Sequence, residues 1–158
     1  MKRKIALVLI ASLAAMLLTG CSSNKSACKN TIQEFALACN SQDVNGILDT
    51  INPDIADPIK VMVGVSGLVG DTKLSYDVIL EQLSGYIGET NMNGVALSDA
   101  LNSIMLTVEK VKVKSKKAVA LCEMECTVAG VPIEREINIY LVKKSGQWYI
   151  AGAEQAPA

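Results

Sequence analysis

Four cysteines, one interior arginine and a complete lack of histidine define the chemistry open to this chain. Cys28 and Cys39 belong to the stripe Cys28, Ile32, Phe35, Ala36 and Cys39, whose spacing predicts a helix from about Ala27 to Ser41. Eleven residues at 1.5 Å each set the two thiols roughly 16 Å apart, a gap no disulfide spans. Cys122 and Cys126 share a strand face about 13 Å apart at 3.3 Å per residue, and cannot pair either. Helix-to-strand pairing is what geometry leaves: two bridges at once, one bridge, or none, with four small thiols buried in a core. A zinc site would want close Cys pairs that these spacings lack, so no metal is expected.

Arg135 stands between Ile133 and Ile137 on an otherwise apolar strand face. Its guanidinium could hold a carboxylate or phosphate of a ligand, pair with an acid from the helices, or lie where the sheet opens to water. Without histidine the chain lacks the commonest general base, the usual triad base and the commonest metal ligand. Tyr76, Tyr86, Tyr140, Tyr149 and several acids remain, but no spacing among them sets a carboxylate beside a tyrosine. No catalytic residue and no cofactor is expected.

The fifth cysteine has another setting. Lys2, Arg3 and Lys4 precede an apolar run from Ile5 to Leu18, the basic and short apolar regions of a secretory signal. That run is roughly 14 residues, short of the 20 or so that span a bilayer. Leu18-Thr19-Gly20-Cys21 resembles the lipobox of bacterial lipoproteins. The resemblance implies cleavage after Gly20 and diacylglycerol on the Cys21 sulfur, with acyl chains of the palmitate kind. Residues 1–20 are then the signal and 21–26 a lipidated polar tether. The domain stands on the extracytoplasmic side of the cell membrane, and membrane contact is through that anchor.

Three of the 15 basic residues lie in 1–20, which leaves 12 against 16 acids and a formal net charge of −4. Nucleic acid would want the opposite sign on one face and is excluded as a partner. The remaining 138 residues suit one domain, placed at 27–153, with 154–158 as a loose tail.

Helices come first. Asp43 is the N-cap of a short second helix with Val44, Ile47, Leu48 and Ile51, and Asn52-Pro53 ends it. Asp57-Pro58 opens another, over an apolar stretch with Gly64, Gly67 and Gly70 where backbones pack closely. Ser75 starts a third amphipathic stretch through Ile87, and 95–103 reads as either helix or strand.

From about Ile104 the period is two, and four antiparallel strands follow in sequence. A loop at Lys116-Lys117 would set Lys110 opposite Glu123 and Val111 opposite Cys122, with the lysine row a solvated face. Val119, Leu121, Tyr140, Val142 and Tyr149 fall on the outer face. The class is α+β, N-terminal helices packed on one side of a curved antiparallel sheet.

The helix with its Asp43-containing break and Ile51-Asn52-Pro53, then the pair ending Leu141-Val142-Lys143-Lys144-Ser145-Gly146-Gln147-Trp148-Tyr149-Ile150, resembles the nuclear-transport-factor-2-like superfamily. Within it the chain resembles small bacterial lipoproteins of the DUF4878 type, whose function is unknown. The resemblance implies a cone whose mouth holds a ligand, a catalytic site or a partner. A small, largely apolar ligand would sit among Phe35, Trp148 and the inner strand residues, with Arg135 at the edge. Alternatively side chains fill the cone and the outer face contacts an envelope protein or a second copy in a homodimer. An isomerase- or dehydratase-like enzyme is the further alternative, since the superfamily includes both.

Overall fold

A computed structural model describes residues 23–68, 76, 82, 83 and 100–157. The signal, Cys21, Tyr86, and most of 69–99 lie outside them. Helix α1 covers 23–40 and buries Cys28, Thr31, Ile32, Phe35, Ala36, Ala38 and Cys39, the predicted stripe with two additions. It is already helical at 23–26, four residues before the expected start. Asn24 explains the extension, because its Oδ1 accepts from Lys143 Nζ at 2.8 Å and from Trp148 Nε1 at 3.3 Å. Residues 23–26, read as tether, therefore belong to the packed domain.

Asp43 caps α2 (Val44–Thr50) as expected, its Oδ1 accepting from Gly46 N at 3.1 Å. Ile51 follows in extended conformation and forms a parallel bridge to Ile150, so the end of α2 is tied to the sheet. Helix α3 (Pro53–Leu68) begins a turn before the predicted Asp57-Pro58. Pro53 suits the first helical position, where its missing N–H is one no helix would satisfy, and Pro58 is carried inside. Among the described residues nothing lies within 4 Å of a Cβ added at Gly64, so none of them makes a close backbone approach there. In the ambiguous stretch Ala100 and Leu101 are helical and the chain enters a strand at Met105.

The sheet is a meander in the order β1 (Met105–Lys114), β2 (Lys117–Val128), β3 (Val131–Lys144) and β4 (Gln147–Gln155). Ala118, Ala120, Cys122, Met124 and Cys126 of β2 are buried with Ile137, Ile139 and Leu141 of β3 and Trp148 and Ile150 of β4. These close with α1 and α2 into one apolar core. The described helices pack on that inner face, and the α+β expectation is realised.

Two details differ from the sequence reading. Ser115 takes a left-handed conformation at φ +57°, so the loop is Ser115-Lys116 and Lys114 faces Lys117. The frame slides by two residues, setting Val111 against Ala120 and Lys110 against Leu121 rather than Glu123. A slip of two preserves which side chains point inward, so the core survives while the charge pairing is lost. Second, β4 continues to Gln155, with Glu154 opposite Asn138 and Ala156 N donating to Glu136 O at 2.9 Å. Glu154 and Gln155 of the tail are therefore strand. Bulges after Val108 in β1 and at Tyr140/Leu141 opposite β4 bend both flanks of the sheet around the core.

Candidate functional site

Phe35 and Trp148 are core residues, 8 % and 2 % exposed. The Trp148 ring lies under Lys143, whose Nζ is 5.7 Å from its centroid, and its carbonyl accepts from Thr31 Oγ1 at 3.3 Å. Arg135 pairs with Met124 across β2 and β3 and so shares the inner face, yet it is exposed and its Nη1 donates to Glu134 O at 3.2 Å. It occupies the position where the sheet opens to water. Eight residues of β3 separate Arg135 from Lys143, the partner of Trp148, roughly 26 Å at 3.3 Å per residue. Arg135 and Trp148 therefore do not line one pocket.

Cys28, Cys39, Cys122 and Cys126 are buried free thiols. Burial pushes Cys28 up to about 11, partly offset by the charge of Lys143. Burial likewise takes Cys39 to about 12. Cys122 rises to about 11 through burial and then the Glu109 charge, and Cys126 rises through burial. All four stay protonated at neutral pH, so none is held as a reactive thiolate. Among the described residues no cluster could hold a metal ion.

Catalytic candidates fare no better. Tyr140 and Tyr149 are on the outer face, bonded to the Glu154 carboxylate and to Gln147 Oε1. Tyr76 donates to the Cys39 carbonyl at 3.1 Å. No described carboxylate is buried; Asp43 caps a helix, while Asp49 and Asp54 meet Lys60 and Lys144 at 2.6 Å and 2.5 Å.

The outer face is sorted into three zones. At the end formed by the β1–β2 and β3–β4 turns stand Lys112, Lys114 and Lys117. An apolar band follows, Val119 opposite Tyr140 and Val142 opposite Tyr149, with Leu121 beside them. Tyr140 is 37 % exposed and the rest of the band is half-buried. The other end is acidic, with Glu123 directly opposite Glu136 and Glu125 opposite Glu134. Like charges face to face oppose pairing.

Glu123 shows the effect: a hydrogen bond and then the charge of Glu134, joined by Glu125 and Glu109, hold its carboxyl above the usual value of 4.5. A carboxyl raised in the folded state binds its proton more tightly there, so stability is gained as pH falls through the raised value toward 4.5. Asp54 works oppositely. Its hydrogen bond to Lys144 and that residue's charge hold it below 3.8, a contribution lost as pH falls beneath that value. The thermal midpoint is expected to rise on acidification from neutrality and to fall again below 3.8. Glu123→Gln should flatten the rise, and a midpoint that only declines from pH 7 downward would refute the account.

An open groove of about 600 Å³ runs between α1 and the edge strand β1, lined by Lys25, Lys29, Glu109, Lys110, Val111, Lys112 and Val113. Lys29 reaches the Val108 carbonyl at 3.4 Å and Asn40 the Ile104 carbonyl at 2.9 Å, fastening the helix along that edge. The sequence hinted at this only through the parity change from Leu106 and Val108 to Val111 and Val113.

Helices against the concave side of a four-stranded antiparallel meander, with α2 tied to the last strand, are matched in solved proteins. The fold is nuclear-transport-factor-2-like. A nuclear-transport-factor-2-like protein of unknown function from Shewanella oneidensis aligns with TM-score 0.52 at 10 % identity, over 85 % of this chain and 99 % of that one. A protein of unknown function with a cystatin-like fold from Nostoc punctiforme gives 0.50 at 11 %, covering 85 % and 92 %. A candidate ketosteroid isomerase from Shewanella frigidimarina gives 0.50 at 10 %, covering 82 % and 94 %. No family model and no curated protein matches the sequence. At such identities the nuclear-transport-factor-2-like likeness carries the fold and not a reaction.

Proposed function

We propose that this chain is an extracytoplasmic lipoprotein, anchored through Cys21, whose nuclear-transport-factor-2-like domain binds another protein on its outer sheet face and catalyses nothing. One observation carries the reading: among the described residues the centre of the inner face is filled by buried side chains, Arg135 standing exposed at its margin, while the outer face keeps an apolar band of Val119, Leu121, Tyr140, Val142 and Tyr149. Leu37, Val61, Met62, Met105 and Val131 are exposed as well, but the band is a contiguous apolar strip across paired strands, and such a patch marks a contact surface. The anchor rests on Leu18-Thr19-Gly20-Cys21, and the nearness to lipoproteins of the DUF4878 type rests on the residues that carry that resemblance. A small ligand in the cone is the competing reading.

Native mass spectrometry of the full chain extracted from membranes separates the two. The expected spectrum shows an acylated chain with a bound protein mass, another copy or a different chain, that disappears in Tyr140→Asp. A small mass on a monomer, released on denaturation, would overturn the outer-face reading. So would a bare monomer indifferent to Tyr140→Asp. Alkylation without reductant, after denaturation, should add four labels for Cys28, Cys39, Cys122 and Cys126.

A further inference from the structure

The lysines are gathered at the end of the domain from which the anchor leaves. Nine of the 12 basic residues after position 20 fall in 25–29, 110–117 or 143–144. Structure brings these segments together: Lys117 pairs with Val142, Lys143 N donates to Lys116 O at 2.8 Å, and Lys143 Nζ reaches Asn24 at 2.8 Å. Asn24 is three residues from Cys21, and two residues from Cys21 to Ser23 cover about 7 Å at most. Any membrane that holds the Cys21 acyl chains thus lies close to this end.

Such crowding opposes folding locally. Lys114 stands directly opposite Lys117, a like-charge pair that a strand register avoids unless something else selects it. Lys25, Lys114, Lys116 and Lys117 are exposed, and among the described residues only Lys144 of this end is in salt-bridge contact with a carboxylate, Asp54. Glu109 is the one acid on the adjoining groove. The acidic pairs Glu123–Glu136 and Glu125–Glu134 begin six residues along β2 from Lys117, roughly 20 Å away and beyond the Debye length of about 8 Å at physiological salt. A net negative domain therefore still presents a positive end.

We infer that this lysine-rich end docks on anionic phospholipid headgroups, so that the domain stands on the membrane in one orientation, its acidic end outward. The inference rests on the Cys21 anchor. A tethered acyl group and a basic patch are the two-signal arrangement by which proteins hold to charged bilayers.

The test uses the full acylated chain in vesicles of phosphatidylcholine, with or without phosphatidylglycerol, and an amine-acetylating reagent read by mass spectrometry. Lys114, Lys116 and Lys117 are expected to label about threefold less in the anionic vesicles, and the difference should vanish near 0.5 M salt. In the triple variant Lys114→Gln, Lys116→Gln, Lys117→Gln, Lys25 should lose much of its protection as well. Equal labelling in both vesicle types overturns the docking. Intact mass and flotation with neutral vesicles report the anchor separately. If the chain carries no acyl group, docking is still read by flotation, expected with anionic vesicles and not with neutral ones; flotation with neither overturns it.

Discussion

Trp148→Ala is expected to lower the unfolding free energy by about 3–5 kcal/mol, the range for removing a large aromatic from a packed interior. Trp148 is almost fully buried and joins three elements at once. Its ring lies in the core beneath Lys143, its indole N–H donates to Asn24 of α1, and its carbonyl accepts from Thr31 about two turns further along the same helix face. Alanine would leave a cavity between α1 and the β3–β4 turn and free the start of the helix from the sheet. Trp148→Phe separates the contributions in part, because it keeps a six-membered aromatic ring while deleting the N–H together with the rest of the five-membered ring. Asn24 would still accept from Lys143, so no buried acceptor is orphaned, and the cost should be about 1 kcal/mol. Urea unfolding of the three proteins decides. An alanine variant within 1 kcal/mol of the parent would mean that Trp148 is not the joint between helix and sheet.

Cys21→Ser should abolish fatty-acid incorporation, whereas serine at Cys28, Cys39, Cys122 or Cys126 should leave it intact. The four inner thiols are buried and protonated, so none can substitute as an acylated sulfur. A single acyl chain binds a membrane only marginally, with a constant near 10⁴ M⁻¹, and a second chain makes attachment lasting. Loss of both should therefore reduce detergent-phase partition of the processed domain by orders of magnitude. Metabolic labelling with an alkyne fatty acid, followed by phase separation, measures both effects. Label retained in Cys21→Ser would remove the anchor reading.

Element types were legible because burial follows period. Cys28, Ile32, Phe35 and Cys39 face the core at helical spacing, and Ala118 through Cys126 alternate inward and outward along β2. Inner and outer faces, and with them the apolar band, could be read for the same reason. Register was less accessible. A cross-strand charge pair contributes only about 0.2–1 kcal/mol, too little to outweigh a loop in which Ser115 takes the left-handed conformation. The β1 bulge left a trace, since Val108 and Val111 can share a face only if one residue is extra. Asn24 left none. Its polarity reads as solvent, and its two donors come from residues more than a hundred positions away. The last two residues of β4 were missed likewise, because Glu154 belongs to the outer face, where a polar side chain bonds Tyr140 and needs no burial. The lysine-rich end could not be seen from the row in β1 alone, as it exists only when two turns and the start of α1 meet.

Sorted charge also gives this sheet a direction, and direction limits company. Two copies laid outer face to outer face would match lysine against glutamate only if their strands ran oppositely, so their anchors would leave from opposite ends. Under the proposed anchoring at Cys21, the link from there to Ser23 is too short to bring both back to one bilayer. Neighbours rooted in a single membrane stand the same way up and meet like charge with like. A matched pair would have to reach across the gap between two facing membranes, or the partner must be a different protein, presenting base where this one presents acid.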